Sequence, residues 1–194
     1  MTDRWHQRHA ERGLRSEPAD FVVAVSEWFH PGGRVLDVAG GTGRNAIWLA
    51  RRGFAVTLID FSPVAVALVA EGAAEAGLPL SATLWNVETD GLPIGPWDAI
   101  VIHHFLDRPS LDVALDRLRR GGVLAFCQPT LRNLERHEHP GERWLLAEGE
   151  LEEWTGNRSD RLQVLTLEEE WFDNGRHEAR LVARYRPRTQ RSEV

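Results

Sequence analysis

A chain of 194 residues with 42% hydrophobic residues is long enough to bury a full core, and its length fits a single domain. The formal net charge of −6 argues against a nucleic-acid partner, because phosphate backbones bind basic surfaces. The single cysteine, the charged N-terminus and the lack of an apolar run of roughly 20 residues predict a cytoplasmic protein without disulfides, secretion signal or membrane partner.

Apolar blocks alternate with helical patterns, which predicts a parallel sheet covered by helices on both faces. In chain order, the first predicted elements are the helix Pro18–Phe29 with its stop at Pro31-Gly32-Gly33, the strand Arg34–Val38, the helix Arg44–Arg52 and the strand Ala55–Ile59. They are followed by the helix Pro63–Ala76 with Ser62 as its N-cap, the strands Ser81–Asn86 and Ala99–His103, the helix Leu111–Arg119, a turn at Arg120-Gly121-Gly122 and the strand Val123–Cys127.

The C-terminal part departs from this alternation. A helix is predicted over Gly149–Trp154, and two β-rich runs follow at Leu162–Glu168 and His177–Tyr185. Asn174-Gly175, between these runs, is a strong signal for a hairpin turn. The predicted fold is therefore α/β, with five parallel strands closed by an antiparallel C-terminal hairpin. The sequence has no heptad pattern and no long apolar stripe, so it does not predict an oligomeric state.

A glycine loop joins the first predicted strand to the second helix. The segment VLDVAGGTGRNA runs from Val35 to Ala46, and Asp60 follows the second strand. Together they form half of a nucleotide-binding βαβ unit, in which the acid accepts hydrogen bonds from ribose hydroxyls. The spacing of Gly41 and Gly43 also fits a dinucleotide fingerprint, so the loop alone is compatible with hydride transfer or methyl transfer.

Asp37 favours the methyl donor. A dinucleotide-binding strand is normally apolar at this place, because an extra carboxylate would repel the pyrophosphate. S-adenosylmethionine has no phosphate, and a carboxylate attracts its sulfonium and α-ammonium groups. A turn or helix-capping acid is the structural alternative for Asp37. We predict S-adenosylmethionine as the cofactor and S-adenosylhomocysteine as the product, with a nucleotide-dependent oxidoreductase as the alternative.

The chain resembles class I S-adenosylmethionine-dependent methyltransferases, whose Rossmann-like, doubly wound sheet has seven strands and ends in such a hairpin. Among them it is most similar to the small tellurite-resistance-type methyltransferases. The similarity lies in Trp5-x-x-Arg8, in LDVAGGTGRNA, in HHFLDRP after the fourth strand and in ERHEHPGERWLLAEGELEEW after the fifth. Asp107 differs, because it stands where that group has a histidine.

The resemblance implies a cofactor site at the ends of the first strands. Asp60 would accept both ribose hydroxyls, and the glycine loop would hold the methionine moiety. Asn86 stands where an acid usually receives the adenine amine, and its amide oxygen can accept the same hydrogen bond. Phe61 covers adenine or is a plain core aromatic, and Asn45 binds the cofactor carboxylate or caps the turn. The predicted cofactor-binding residues are Asp37, Ala39, Gly40, Gly41, Gly43, Asn45, Asp60, Phe61, Ser62, Asn86, Val87 and His103.

Catalysis needs little acid–base chemistry, since the sulfonium is a good leaving group and alignment supplies most of the rate. A thiolate or chalcogen oxyanion needs no base, whereas a hydroxyl or amine needs one, for which His103 and His104 are the candidates. The structural alternative is that one histidine packs against the cofactor and the other is solvated. The predicted catalytic residues are His103, His104 and Arg108.

The predicted substrate-binding residues are Trp5, Arg8, Arg108 and Arg143. Arginines at a pocket mouth can clamp an anion with forked hydrogen bonds. Isolated surface arginines are the alternative. No metal is predicted, because His137-Glu138-His139 has no cysteine or third spaced ligand near it.

The predicted function is methyl transfer to a small-molecule acceptor, an anionic or chalcogen nucleophile. A non-catalytic protein that binds the methyl donor is a second alternative. One domain is predicted to span the chain, with residues 1–30 as a helical segment over the pocket and residues 186–194 as a frayed tail.

Overall fold

The computed structural model describes residues 17–186, so Trp5 and Arg8 lie outside the described residues. Seven strands form one sheet in the order β3-β2-β1-β4-β5-β7-β6. Strands β1 to β5 are parallel, and β7 pairs antiparallel with both β5 and β6. The strands are β1 Arg34–Val38, β2 Ala55–Asp60, β3 Leu80–Leu84, β4 Trp97–His103, β5 Leu118–Pro129, β6 Leu162–Trp171 and β7 His177–Tyr185. The predicted fold is confirmed.

Helices cover both faces of the sheet. Within residues 17–186, no helix is both long and apolar enough to cross a membrane. The helices are α1 Asp20–Val25, α2 Arg44–Arg51, α3 Pro63–Glu75, α4 Val87–Asp90, α5 Arg108–Arg117 and α6 Glu150–Gly156, with short 3-10 turns at Ser26–Trp28, Leu131–Glu135 and Glu142–Trp144. The predicted cap of α3 is present, since the Oγ atom of Ser62 accepts a hydrogen bond from the Ala65 N–H.

The sheet separates two apolar cores. Successive side chains of a strand point to opposite faces, so Leu36 packs on the side of α5 and α6 whereas Val35 packs on the side of α1, α2 and α3. Both residues are fully buried, as expected for a central strand of a sheet covered on both sides.

Two capping residues move element boundaries away from the predicted ones. The third strand ends at Leu84 instead of Asn86, because the Asn86 Oδ1 atom caps α4 by accepting from the Glu88 N–H at 3.1 Å. Helix α5 begins at Arg108 instead of Leu111, because the Asp107 Oδ2 atom accepts from the Ser110 N–H at 3.0 Å.

The predicted turn at residues 120–122 lies inside β5 as a bulge. Trp97 pairs with Leu118 and Ala99 pairs with Val123, so β5 has extra residues between the two pairs. The bulge keeps the strand continuous where the glycines predict a break.

The carboxyl ends of β1, β4 and β5 lie side by side at one edge of the sheet. Val38 pairs with Ile102, so the glycine loop that follows β1 lies next to His103 at the end of β4. His103 in turn pairs with Cys127, and Cys127 pairs with Arg180 of β7. Ligands of open α/β sheets bind at this edge, outside the carboxyl ends of the strands.

Candidate active site

The glycine loop approaches its neighbours too closely for larger residues. A Cβ atom on Gly40 would lie 2.6 Å from the Leu58 Cδ1 atom and 2.7 Å from the Asp37 Oδ2 atom. Gly43, which precedes α2, has φ +78°, and a Cβ there would lie 2.7 Å from the Val69 Cγ2 atom. The loop therefore packs so tightly against its neighbours that a side chain at either glycine would have to displace it.

Asp37 is a buried carboxyl group whose surroundings in the described part of the chain satisfy it poorly. Its side chain is 1% exposed, and neither oxygen has a hydrogen-bond partner of good geometry in the described part of the chain. Burial raises its pKa to about 7, and the Asp60 carboxylate adds to this, whereas the Arg44 guanidinium and the Ala46 N–H act in the opposite direction. An unpaired buried carboxylate is costly, so a cationic ligand group beside it would be strongly favoured.

Asp60 is held in a fixed orientation at the end of β2. Its Oδ2 atom accepts a hydrogen bond from the Gly41 N–H at 2.8 Å, and its Oδ1 atom accepts from the Ser62 N–H at 2.8 Å. Each carboxylate oxygen has a second lone pair. Asp60 therefore anchors the glycine loop to β2 while keeping two acceptor positions for a diol.

The remaining predicted cofactor residues lie along the same edge. Phe61 is half-buried beside Asp60, and Val87 is buried at the start of α4, whereas Asn86 is exposed and caps that helix. The Oδ1 atom of Asn45 accepts from the Ala19 N–H at 2.9 Å, so it ties the segment before α1 to the start of α2. This role differs from both roles predicted for Asn45.

His103 links the glycine loop to the rest of the site. Its Nδ1 atom lies 3.4 Å from Nη2 of Arg44, and its ring lies against Phe21 with centroids 6.3 Å apart. Burial lowers the pKa of His103 well below its ordinary value, and the neighbouring His104 ring and the Arg44 guanidinium act in the same direction. His103 is therefore a neutral imidazole. Arg44, the first residue of α2, is a site residue that the sequence analysis missed.

His104 and Glu178 form a second group that sequence reasoning missed in part. The His104 Nε2 atom lies 2.7 Å from Oε1 of Glu178, a fully buried residue. Arg180 donates from Nε and Nη2 to Oε2 of Glu178 at 2.9 Å and 2.7 Å, and Asn174 donates to Oε1 at 3.0 Å. Burial raises the pKa of Glu178, but the hydrogen bonds and charges of His104 and Arg180 outweigh it and hold the pKa well below the usual range. Glu178 is therefore ionised.

Cys127 lies beneath the two histidines as a neutral thiol. Burial and the Glu178 carboxylate raise its pKa well above the ordinary value, and its Sγ atom donates to Oε2 of Glu178 at 3.4 Å. Potential ligand atoms of His103, His104 and Cys127 all lie within 4.8 Å of one another. The protonated thiol and the nearby guanidinium groups oppose a cation there, so we assign no metal to this cluster.

The predicted substrate arginines have structural contacts. Arg108 forms a two-pronged ion pair with Glu150, from Nε to Oε1 at 2.6 Å and from Nη2 to Oε2 at 2.8 Å, which joins the starts of α5 and α6. These hydrogen bonds raise the pKa of Arg108. Arg143 is exposed and stacks over the Trp144 ring at 4.3 Å. His137, in the polar loop, bonds the Gly175 carbonyl oxygen at 2.7 Å.

Part of the chain is similar to known methyltransferases. Residues 35–122 match the family model described as "Methyltransferase domain". The chain is 39% identical over 72 residues to ribosomal RNA small subunit methyltransferase J of Thioalkalivibrio sulfidiphilus, and 32% identical over 90 residues to hemagglutinin 1 of Eikenella corrodens. These stretches cover 37% and 46% of this chain, and the chain spans only 28% of the length of each relative.

Solved structures share the fold. TehB from Haemophilus influenzae superposes with a TM-score of 0.69 at 21% identity, covering 89% of this chain and 63% of that one. The 1,6-didemethyltoxoflavin-N1-methyltransferase of Burkholderia thailandensis, solved with S-adenosylhomocysteine, gives 0.61 at 18% identity, covering 86% and 76%. At these identities the likeness describes the fold.

The seven-stranded sheet with its terminal hairpin is the fold of the methyltransferase structures to which this chain is similar. Within this sheet, residues 35–122 match the methyltransferase-domain family model, which covers less than half of the chain. These matches support the predicted class and its cofactor, S-adenosylmethionine. The residues present fit that cofactor, since the carboxyl group of Asp37 can take its ammonium group and Asp60 offers two acceptors to its ribose.

Cofactor affinity should depend on pH because of Asp37. With a pKa of about 7, this carboxyl group must lose a proton before it can pair with the cofactor ammonium group. We expect the affinity for S-adenosylhomocysteine to fall between pH 8 and pH 5.5, by up to about tenfold per pH unit below the pKa. Calorimetric titrations across this range would measure it, and a flat profile would contradict the assignment of Asp37.

Proposed function

We propose that this chain transfers the methyl group of S-adenosylmethionine to a small-molecule acceptor. The observation that carries the proposal is the buried carboxyl group of Asp37, which has no well-formed hydrogen bond among the described residues and lies beside a glycine loop with no room for a Cβ atom at Gly40. The cofactor supplies an electrophilic methyl group on a positively charged sulfur. The chain binds this cofactor through Asp37 and Asp60, and Arg44 and His103 lie next to the glycine loop on the side of β4.

The net charge of the chain and the helix that lies over the site both support a small acceptor. The chain has a formal net charge of −6, which gives a phosphate backbone no general attraction. Helix α1 lies over the site, with Phe21 against the His103 ring and within 5.9 Å of the Arg180 guanidinium carbon. A covered site of this kind admits a small molecule more readily than a duplex or a folded RNA.

One curated relative is named as a ribosomal RNA methyltransferase, which makes RNA the second candidate acceptor. The two candidates differ in their response to salt. Binding of a structured RNA would weaken steeply with ionic strength, whereas a small-molecule acceptor would not impose that dependence on turnover. Retention of this chain on total ribosomal RNA at physiological salt would favour the RNA alternative.

Calorimetry with S-adenosylhomocysteine tests the cofactor half of the proposal. Asp60→Asn keeps one acceptor oxygen but loses the charge, so we expect affinity to fall about tenfold, since a hydrogen bond to a charged group contributes about 1.5 kcal/mol or more. The matched control is Asp160→Asn, in the exposed turn before β6. Equal affinity of the two variants, or tight binding of NADH in place of S-adenosylhomocysteine, would contradict the proposal.

Turnover separates an enzyme from a protein that only binds the methyl donor. Formation of S-adenosylhomocysteine above the rate without acceptor, in a panel of phenols, thiols and amines, is the expected result. Tight cofactor binding without any transfer across that panel would favour the non-catalytic alternative.

A further inference from the structure

We propose that His104 is the general base of the reaction, with Glu178 as its positioning residue, and that the acceptor is therefore a hydroxyl compound that must lose a proton. This inference rests on the proposed methyl transfer. It replaces the expectation of an already ionised thiol or chalcogen acceptor, which needs no base.

One other ring, that of His103, separates the His104 ring from the glycine loop. The His104 ring stacks on His103 with centroids 3.9 Å apart, and His103 in turn lies beside Arg44 at the end of the glycine loop. The His104 side chain is 29% exposed, so it is accessible, whereas its partner Glu178 is completely buried. An accessible imidazole backed by a buried carboxylate is the arrangement that proton abstraction requires.

The hydrogen bonds of Glu178 determine the tautomer of His104. An ionised carboxylate can only accept hydrogen bonds, so the Nε2 atom of His104 must carry a proton to make the 2.7 Å bond to Oε1. In the neutral ring the lone pair then lies on Nδ1. Arg180 and Asn174 hold Glu178 from its other sides, so the carboxylate cannot turn away. Glu178 fixes the ring and stabilises the imidazolium ion that forms when Nδ1 accepts a proton.

The backbone of His104 gives an independent indication. Within residues 17–186, the only residues other than glycine that have positive φ angles are Ala39, at +51°, and His104, at +59°. A side chain in this region is strained, and such residues cluster at active sites. Ala39 lies in the glycine loop, and His104 is the proposed base. The His104 N–H donates to the Cys127 carbonyl oxygen at 2.9 Å, which holds this conformation.

The charges around His104 favour an oxygen nucleophile over an amine. Glu178, His103 and Cys127 lie next to it, Arg180 reaches it through Glu178, and Arg44 contacts the neighbouring His103 ring. The neutral His103 and Cys127 add no charge, and Glu178 already pairs with Arg180. The Arg44 guanidinium would therefore repel an ammonium group and stabilise the negative charge that develops on a hydroxyl oxygen.

The proposed step is balanced. The acceptor oxygen forms a bond to the methyl carbon as the sulfur–carbon bond breaks, and the bonding electron pair returns to sulfur, which leaves as a neutral thioether. The hydroxyl proton passes to Nδ1 of His104 and from there to solvent. No oxidant or metal takes part in this transfer.

Three phenyl acceptors of similar size test the proposal: 4-methoxyphenol, which is un-ionised at pH 8, and 4-nitrophenol and thiophenol, which are ionised. General-base catalysis typically contributes about 100-fold or more, so we expect His104→Gln to lower kcat for 4-methoxyphenol by about 100-fold with little change in KM. Transfer to the two ionised acceptors should fall far less. The ratio of kcat for 4-methoxyphenol to kcat for either ionised acceptor should therefore fall in this variant. In Glu178→Gln, the acid limb of the pH–rate profile for 4-methoxyphenol should move to lower pH.

His30→Gln is the matched control, since His30 is exposed before β1 at the opposite edge of the sheet. Equal losses on all three acceptors in His104→Gln would overturn the proposal, because they would indicate a structural role. Wild-type transfer to thiophenol alone, or to none of the three while S-adenosylhomocysteine still binds, would also overturn it. Loss of cofactor binding in the wild type would instead defeat the proposed function itself.

Discussion

Replacing Asp37 by asparagine should stabilise the cofactor-free protein at pH 8 and at the same time reduce cofactor affinity by about 100-fold or more. Removing one partner of a buried charge pair costs about 3–5 kcal/mol, which accounts for the loss of affinity. The gain in stability arises because the unliganded protein no longer buries an unpaired carboxylate. Calorimetry with S-adenosylhomocysteine and urea unfolding of the cofactor-free protein measure the two effects.

The gain in stability should depend on pH with a defined sign. The Asp37 pKa rises from 3.8 to about 7 in the folded protein, so between these values the folded state binds more protons than the unfolded chain. The free energy of unfolding of the wild type therefore falls as the pH rises through this window, by roughly 4 kcal/mol in total. An unpaired amide offsets about 1–3 kcal/mol of the corresponding gain in the variant. We expect Asp37→Asn to exceed the wild type by about 1–3 kcal/mol at pH 8 and to lose that advantage at pH 5.

Asp160→Asn, at the opposite edge of the sheet, serves as the control for both measurements. A variant of Asp37 that is less stable than the wild type at pH 8 would show that a partner for this carboxylate already exists in the cofactor-free protein. Unchanged affinity would show that Asp37 does not face the ammonium group.

Adding one carbon atom to the glycine loop should weaken cofactor binding nearly as much as Asp37→Asn does. In Gly40→Ala the new Cβ atom meets Leu58 and Asp37 at 2.6 Å and 2.7 Å, so the loop must move away from β2. We expect a loss of stability of about 1–3 kcal/mol from overpacking. A displacement of about 1 Å in a positioning element can cost about 100-fold, and we expect the affinity for S-adenosylhomocysteine to fall by about that factor.

Gly141→Ala is the matched control for the glycine loop. Nothing lies within 4 Å of a Cβ atom at Gly141, and its φ of −67° suits any residue. We expect a change in stability within about 1 kcal/mol, toward greater stability, and no change in affinity. If both variants bind the cofactor equally, the close approach at Gly40 is not part of the binding site.

The sequence was most informative where local patterns decide the structure. The apolar runs that contain Val35 and Val101 are buried on both faces, so they are easily recognised as central strands. Asp37 lies near the end of such a strand, before the glycine loop, and Asp60 lies at the end of the next one, so their place at one edge of the sheet follows from the parallel arrangement. The short helix α4 was missed because Asn86 is as compatible with a strand end as with a helix cap.

The acceptor half of the site could not be predicted in the same way. Glu178 follows His104 by 74 residues, and only the antiparallel pairing of β5 with β7 brings them together. In the sequence, Glu178 and Arg180 look like charged residues on the outer side of a hairpin strand. The tertiary pairing buries them instead, and their mutual ion pair makes that burial tolerable.

The place of β7 inside the sheet has a consequence for the order of folding. This strand is made after β6, yet it lies between β5 and β6, so β5 has an open edge until the hairpin docks. An unpaired central strand is a site of aggregation, and its pairing with β7 joins residues far apart in the chain, which is slow. Because β7 also carries Glu178, docking of the hairpin closes the exposed edge and delivers the buried carboxylate to His104 in the same event. A chain whose hairpin has not docked would be vulnerable to aggregation and would lack the carboxylate that orients the proposed base.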